Sequence, residues 1–248
     1  MIDKFRVSLC CPLPRTGFGS GDVHVEDEIL QLEDYLAKAE GQIVVFPEGY
    51  LLTGNVDKAE KLARKYDKWL IIGSEDDGEE KSLYTLVIDP DKGEIYKHCK
   101  TSLTDGDRRN KARQGKEISA VDTPFGKIGT ILCYELHFPE VARIECLQGA
   151  RILFNTIGTG MWHDQQLDEW TSLAKARAIE NRCFVVGCTH FCDPIPLMFG
   201  YDPHGRELLR LIRTKGLANV DIDMSLIDER DYFRDRNPEC YTEISRRQ

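Results

Sequence analysis

Three side chains with different chemistry stand at the ends of apolar stretches in this sequence. Glu48 follows the run 43–46, Lys100 lies just beyond the segment around Ile95, and Cys133 follows the run 128–132. A half-buried carboxylate can act as a general base, a lysine beside it can stabilise an oxyanion, and a thiol can attack carbon. Taken singly, such residues are more often a solvated turn glutamate, a surface cation and a packed cysteine.

The residues around Cys133 make its segment the most specific of the three. The apolar run ends at the cysteine, and Pro139 with Glu140 opens a helix a few residues later. A nucleophile in a strand-to-helix turn is exposed at the edge of a sheet, and the backbone N–H of the next residue, Tyr134, can bind a developing oxyanion. The context therefore predicts a nucleophile turn at Cys133.

The elements that must position these residues follow an α/β pattern. Helical stripes begin near Ile29, Ala59, Val141 and Leu167. Turn residues at 89–93 and 202–205 predict β-hairpins, as does the charged segment 76–81, so mixed sheets are favoured over an all-parallel barrel. Segment 105–116 is interpreted as a functional loop. The predicted strands are 5–11, 43–46, 69–73, 83–88, 94–96, 128–134, 152–155, 184–189 and 217–222.

The three chemical segments, in this order, resemble the motifs of the nitrilase superfamily of carbon–nitrogen hydrolases. The later segments 177–186, 202–205 and 221–223, and also 236–241, resemble further elements of the family, so the likeness spans nearly the whole chain. The motif segments are 46–48 for the glutamate, 96–103 for the lysine and 132–140 for the cysteine.

The resemblance implies a four-layer αββα sandwich, in which two mixed β-sheets pack together between two helical layers. It also implies a single carbon–nitrogen hydrolase domain over residues 1–248. The C-terminal segment, about 224–248, carries Tyr232, Phe233 and Tyr241, and we expect it to extend over the body or over a dimer partner. Members of the family commonly dimerise through their outer helices, so a homodimer or higher homo-oligomer is expected.

The activity implied by the resemblance is hydrolysis of a non-peptide carbon–nitrogen bond of a small amide. Glu48 would take the thiol proton of Cys133, which forms a thioester, while Lys100 and the N–H of Tyr134 hold the oxyanion. No metal or organic cofactor is expected. Nitrile or N-carbamoyl hydrolysis, acyl transfer to an amine, and a non-catalytic binding or scaffold role remain open alternatives.

Two departures from the family pattern concern the active-site surroundings. Many members carry a second glutamate between the lysine and the cysteine, where this chain offers Asp105 or Asp107. His137 stands where arginine is usual. Arg108, Arg109 and Arg113 are either a binding site for a substrate carboxylate or a solvated basic loop. Five residues are predicted to bind substrate, with packing as the alternative for the last: Tyr50, Asp107, Tyr134, Asn155 and Trp162.

Composition excludes several other classes of protein. The 248 residues include 33 basic and 42 acidic side chains, a net charge of −9, which disfavours nucleic-acid binding. No apolar run is long enough to cross a membrane, and the chain shows no signal peptide, so a cytoplasmic location is expected. Nine cysteines cannot all pair with one another. Cys188, His190 and Cys192 alternate on one face of a strand and leave a metal site as a rival hypothesis.

Overall fold

A computed structural model describes residues 2–18, 23–227 and 232–245 of the chain. The helices are Glu28–Lys38 (α1), Val56–Tyr66 (α2), Asp105–Arg109 (α3), Pro139–Leu147 (α4) and Asp164–Asn181 (α5). The strands are Lys4–Cys11 (β1), Ile43–Leu52 (β2), Trp69–Glu75 (β3), Leu83–Asp89 (β4), Gly93–Cys99 (β5), Val121–Thr123 (β6), Gly126–Leu132 (β7), Ile152–Ile157 (β8), Phe184–Thr189 (β9), Leu197–Tyr201 (β10), Glu207–Ile212 (β11) and Gly216–Asp223 (β12).

The strands form two six-stranded mixed sheets. The first has the order β12-β1-β2-β3-β4-β5, and the second has the order β11-β10-β9-β8-β7-β6. In each sheet three central strands are parallel, namely β1, β2 and β3 in the first and β7, β8 and β9 in the second. The outer strands join them antiparallel. The mixed sheets confirm the interpretation of the hairpin turns.

Alternation along the central strands creates the layers. On β2, Val45 faces the cluster between the two sheets, whereas Val44 and Phe46 face the cluster beneath α1 and α2. On β8, Phe154 faces the cluster between the sheets and Leu153 faces the cluster beneath α4 and α5. Successive side chains of a strand point to opposite faces, so strands covered on both faces are apolar throughout. The predicted αββα sandwich is confirmed.

Predicted turns lie between the strands as expected. The segment 76–81 connects β3 to β4, and 89–93 connects β4 to β5 with Gly93 at φ +84°. The third hairpin joins β10 to β11 through Gly205 at φ +75°. The short edge strand β6 had no counterpart in the prediction, since a three-residue strand carries too little pattern to detect.

The described part of the C-terminal segment packs its first aromatic residues on the helical layer. The Arg182 guanidinium lies 4.7 Å from the centre of the Tyr232 ring, and Arg143 lies 5.1 Å from that of Phe233. These contacts place residues 232 and 233 over α4 and α5. Residues 228–231 and 246–248 of the predicted extension lie outside the described residues.

Among the helices that the structure describes, none combines the length and apolar character needed to cross a membrane.

One carboxylate is enclosed where α4 packs on the second sheet. Glu145 on α4 is fully buried, and its Oε1 accepts a hydrogen bond of 2.7 Å from the backbone N–H of Thr130 on β7. Its Oε2 has no hydrogen-bond partner among the described residues. Burial raises the pKa of Glu145 from 4.5 to about 8. The side chain therefore keeps its proton at neutral pH.

We expect Glu145→Gln to remove a pH-dependent loss of stability. The folded state holds the Glu145 proton more tightly than the unfolded state does, so proton binding stabilises the fold. This stabilisation is fully present below about pH 4.5 and is lost as the pH rises towards about 8. Urea unfolding at a series of pH values is the measurement. As the pH rises between these limits, the free energy of unfolding of the variant should increase relative to that of the parent protein by about a few kcal/mol. Glu140→Gln, on the exposed start of α4, is the control. A stability difference that is independent of pH would contradict the buried-acid interpretation.

Candidate active site

A pocket of about 300 Å³ opens where the first sheet meets the second. Glu48 reaches it from β2 and Lys100 from the residue after β5, both in the first sheet, while Cys133 reaches it from the end of β7 in the second. The structure thus brings together the three residues that the sequence singled out, although 85 positions separate Glu48 from Cys133.

Glu48 is delivered by an irregularity in β2. The pairing of β2 with β3 shifts register between Phe46 and Leu51, so the intervening residues leave the regular ladder. Gly73 on β3 allows this, because a Cβ atom there would collide with the backbone of Pro47 and Glu48. Glu48 is 5% exposed, and its backbone carbonyl oxygen lies 3.0 Å from His190 Nε2.

His190 acts on that carbonyl as a neutral donor. It is fully buried, and burial lowers its pKa to about 3. The imidazole is therefore uncharged, and Nε2–H donates to the Glu48 oxygen. Sequence analysis placed His190 in a rival metal site with Cys188 and Cys192. Within the described ranges, no cluster of three or more His, Cys, Asp or Glu side chains is arranged to hold a metal ion.

Lys100 is fixed at both its backbone and its side chain. Its N–H donates to Leu83 O at 3.0 Å, and its carbonyl accepts from Gly115 N at 2.8 Å. The ammonium group is buried and lies 2.7 Å from Glu48 Oε1 and 2.9 Å from Asp107 Oδ2. Burial lowers the pKa of Lys100, but the negative charges around it more than offset this and raise the pKa above its ordinary value. The lysine is a permanent cation in this site.

Cys133 begins a short 3-10 turn, Cys133–His137, directly after β7. Its φ of +49° lies in the left-handed region, which costs a non-glycine residue about 1–3 kcal/mol. Asn155 on β8 supports this backbone, because its Nδ2 donates to Ile131 O at 2.9 Å and also approaches Cys133 O at 3.5 Å. A strained conformation at a cysteine residue that is only partly buried is the expected geometry of a nucleophile turn.

Electrostatics keep the Cys133 sulfur protonated at rest. Removal of the thiol from water and the negative charge of Glu48 raise its pKa, while Lys100 and the backbone of Gly158 oppose them. The net effect is a pKa well above the ordinary value for cysteine. The thiol therefore needs a base to become a nucleophile, and the Glu48 carboxylate is the neighbouring group that can serve.

Asp107 supplies a second carboxylate to Lys100. It is the third residue of α3, where its Oδ2 accepts from Thr104 N–H at 2.8 Å and its own N–H donates to Thr104 Oγ1 at 3.1 Å. This capping box fixes the side chain so that it can also bind the ammonium group. The short helix was interpreted only as a polar loop in the sequence. Asp105 does not line the pocket and instead lies 4.0 Å from Arg108.

The other predicted substrate-binding residues lie outside the pocket lining. Tyr50 is fully buried under α1 and donates to Glu28 O, because its position after the bulge turns it inward. Asn155 is also fully buried and also accepts a hydrogen bond from Trp170 Nε1. Trp162 is 52% exposed, and Tyr134 packs against His137 and Phe138. These placements differ from the expectation of substrate walls.

His137 does not line the pocket. Its Nδ1 lies 3.2 Å from Tyr134 O and its Nε2 lies 3.4 Å from Glu169. The ring also meets Trp170 edge-on at 4.9 Å. The residue that departs from the family pattern thus packs the outer side of the turn.

The cations at the pocket are not those suggested by the sequence. Arg108 donates to Leu103 O and Arg113 to the Tyr84 hydroxyl, and neither lines the pocket. Lys81, between β3 and β4, does line it, together with Asn110. The wall also contains Glu75, which is paired with the buried Arg15. Glu75 ends an apolar strand as Glu48 does, a signal that sequence reasoning could have used; Arg15 in its loop gave none.

A family model described as carbon-nitrogen hydrolase matches residues 28–232. A nitrilase and fragile histidine triad fusion protein of Caenorhabditis elegans is 30% identical over 215 residues, 75% of this chain and 48% of that protein. A 2-oxoglutaramate amidase of Bacillus subtilis is 30% identical over 174 residues, 66% of this chain and 65% of that protein. The chain thus spans less than two thirds of the length of either relative.

Solved structures share the fold. A carbon-nitrogen hydrolase from Helicobacter pylori superposes with a TM-score of 0.82 at 18% identity, covering 98% of this chain and 99% of that one. A variant amidase from Nesterenkonia sp., carrying an acetamide moiety added covalently at its active site cysteine, gives a TM-score of 0.79 at 20% identity and covers 96% and 95%. Since the family model matches most of the sequence, this chain belongs to the carbon-nitrogen hydrolase family of the nitrilase superfamily.

Proposed function

We propose that the protein hydrolyses the carbon–nitrogen bond of a small amide through a thioester on Cys133. The observation that carries the proposal is the convergence of Glu48, Lys100 and Cys133 on one pocket, with 2.7 Å between the lysine nitrogen and the glutamate oxygen. The amidase relative supports the amide as substrate. We place the reaction in the cytoplasm, where the nine thiols stay reduced, within one hydrolase domain.

The first half-reaction forms the thioester. Glu48 accepts the Cys133 proton, and the sulfur attacks the amide carbon to give a tetrahedral intermediate. The Lys100 ammonium and the backbone N–H of Tyr134 stabilise the oxygen anion. The protonated Glu48 then gives its proton to the amide nitrogen, the carbon–nitrogen bond breaks, and ammonia or an amine leaves. When Glu48 is protonated, its ion pair with Lys100 is lost. Asp107 still pairs with the ammonium group and keeps it in place.

The second half-reaction returns the enzyme to its resting state. Glu48 takes a proton from a water molecule, which attacks the thioester carbon, and Lys100 again faces the oxygen anion. Collapse of this intermediate releases a carboxylic acid, and the proton held by Glu48 returns to the Cys133 sulfur. The raised pKa of Cys133 favours this return. The two half-reactions together consume one amide and one water molecule and balance without any further reactant.

A lysine at the pocket wall favours an amide that carries a carboxylate elsewhere. The lining includes the carboxylates of Glu48, Asp107 and Glu75, but the first two bind Lys100 and the third binds Arg15. Lys81 lines the pocket and has no ion pair with any described carboxylate. Its backbone N–H lies next to Asn110, whose amide can add a second donor. We infer that Lys81 and Asn110 receive the substrate carboxylate.

A homodimer is the assembly we propose. Apolar side chains on the outer helical layer are more than a third exposed, with Ile144 and Leu147 on α4 and Ile179 on α5. Packing the same face of a second copy against them would bury these side chains around a two-fold axis, the commonest symmetry of soluble oligomers. The site itself lies in the body of each copy.

We expect replacement of Cys133 to abolish turnover and leave the fold intact. Cys133→Ala and Cys133→Ser should each lower kcat by about 10³-fold or more, because neither side chain can replace an activated thiolate. Ammonia release from a panel of small amides, nitriles and N-carbamoyl compounds is the measurement, with thermal unfolding as a check. Cys240→Ser, at an exposed thiol, is the control. Retained hydrolysis in either Cys133 variant would rule out the proposed nucleophile.

We expect Lys81→Gln to discriminate between charged and neutral substrates. For the half-amide of a dicarboxylic acid, kcat/KM should fall about 10-fold or more, since a charged partner is lost, whereas a neutral amide of equal length should change less than about threefold. Lys111→Gln, on the exposed side of the same loop region, is the matched control. Equal losses for both substrates, or a preference of the parent enzyme for the neutral amide, would contradict the carboxylate site.

We expect charge on the outer helical face to separate the dimer. The double variant Ile144→Asp with Leu147→Asp should sediment as a monomer of 28.3 kDa, whereas the parent chain should have twice that mass. Leu30→Asp places the same charge on α1, where Leu30 is 66% exposed in the opposite helical layer, and should stay dimeric. A monomeric parent chain in analytical ultracentrifugation would refute the proposed assembly.

A further inference from the structure

A fully buried carboxylate connects the loop that carries Lys100 to the turn that carries Cys133. Glu135 is 0% exposed and lies two residues after the cysteine. Its Oε1 accepts from both the backbone N–H and the hydroxyl of Thr101, at 2.6 and 2.7 Å. Its Oε2 accepts from the backbone N–H of Leu132 at 2.8 Å and lies 2.8 Å from His98 Nε2.

The four donors divide between the two halves of the site. Thr101 follows Lys100 directly, and His98 precedes it by two residues on β5. Leu132 is the last residue of β7, directly before Cys133. The carboxylate therefore bonds to the neighbours of both residues rather than to the reacting groups themselves. To cap the turn at Cys133, the carboxylate would need only the hydrogen bond from Leu132. Its hydrogen bonds with His98 and Thr101 therefore serve another purpose.

The negative charge of Glu135 strengthens its hydrogen bonds to the two segments. Glu135 accepts from three N–H or O–H donors besides His98, so it is a carboxylate and His98 donates from Nε2. Burial raises the pKa of Glu135, but the bonds from His98, Thr101 and Leu132 lower it further than burial raises it. Burial likewise lowers the pKa of His98, and the carboxylate reverses that shift. Breaking any of these bonds would leave a buried charged or polar group without a partner.

We propose that Glu135, held by His98 and Thr101, is a positioning residue that sets the separation between the Lys100 ammonium and the Cys133 sulfur. The proposal deepens the proposed function and rests on it for the meaning of that separation. With the tie in place, the ammonium faces both the thiolate and the oxyanion. Without it, the position of Lys100 would depend on the first sheet and that of Cys133 on the second, with no hydrogen-bonded link through Glu135 to fix their separation.

The test replaces the carboxylate by its isosteric amide. Glu135→Gln turns one acceptor oxygen into a donor that must face Thr101, Leu132 or His98, so one connection is lost. A misplacement of about 1 Å costs on the order of 10²-fold in rate, so kcat should fall by about that factor with KM changed less than about threefold. Glu145→Gln is the matched control, because Glu145 is equally buried, is already neutral and, among the described residues, forms a hydrogen bond only with Thr130.

A second pair of variants covers the case in which Glu135→Gln does not fold. Thr101→Val removes one of the four donors and should lower kcat by about 3- to 10-fold, while Thr101→Ser keeps the hydroxyl and should restore it. A folded Glu135→Gln protein with the kcat of the parent, a loss equal to that of Glu145→Gln, or a loss confined to KM would overturn the proposal. So would equal activity of the valine and serine variants.

Alkylation of Cys133 by iodoacetamide separates this inference from the proposed function. The labelling rate of the Cys133 peptide, followed by mass spectrometry, depends on the distance to Lys100 but not on amide turnover. It should fall about 10-fold in Glu135→Gln and stay unchanged in Glu145→Gln. A parent protein that labels selectively but cleaves no amide would refute the proposed function and leave the positioning role standing. Unchanged labelling in Glu135→Gln would refute the positioning role.

Discussion

A buried ammonium group that must be neutralised from two sides is the constraint on which the site depends. Lys100 is 1% exposed, and its nitrogen has Glu48 on one side at 2.7 Å and Asp107 on the other at 2.9 Å. An unpaired buried charge would cost several kcal/mol, so β2, the loop after β5 and helix α3 must be placed together. The same arrangement holds the ammonium group in the pocket that Cys133 also lines, where the proposed mechanism needs a donor to the oxyanion.

The sandwich architecture brings this cation close to Cys133, the proposed nucleophile. Glu48 and Lys100 belong to the first sheet and Cys133 to the second, so their proximity depends on the apolar layer between the sheets. Finer control comes from polar groups behind the site. His190 holds the Glu48 backbone, Asn155 holds the turn of Cys133, and Glu135 joins the lysine and cysteine segments. Packing sets the approximate distance, and these hydrogen bonds set the geometry.

Local signals in the sequence predicted an α/β chain with mixed sheets, and they singled out the three residues that the structure brings to one pocket. The four-layer sandwich was implied only by the resemblance to the nitrilase superfamily. Apolar runs, hairpin turns and the Cys133 segment lie within short windows. The residues of the pocket wall were harder to predict, because their side-chain directions depend on the course of the backbone where it leaves the regular strand. The bulge after Phe46 turns Tyr50 into the core, and the hydrogen bonds of Arg113 and Arg108 take them out of the pocket. Lys81 lines the pocket, and Arg15 pairs with Glu75 in its wall, through long-range folding that no spacing in the sequence records.

Formation of a thioester at Cys133 is the step on which the account stands, and its direct measurement is peptide mass spectrometry after rapid acid quench. The enzyme is mixed with a saturating small amide that it cleaves and is quenched at times within the first turnovers. We expect the peptide that contains Cys133 to gain the mass of the acyl group, and the eight other cysteines to remain unmodified. Ammonia release without acylation of Cys133, or an acyl group on another cysteine, would contradict the mechanism.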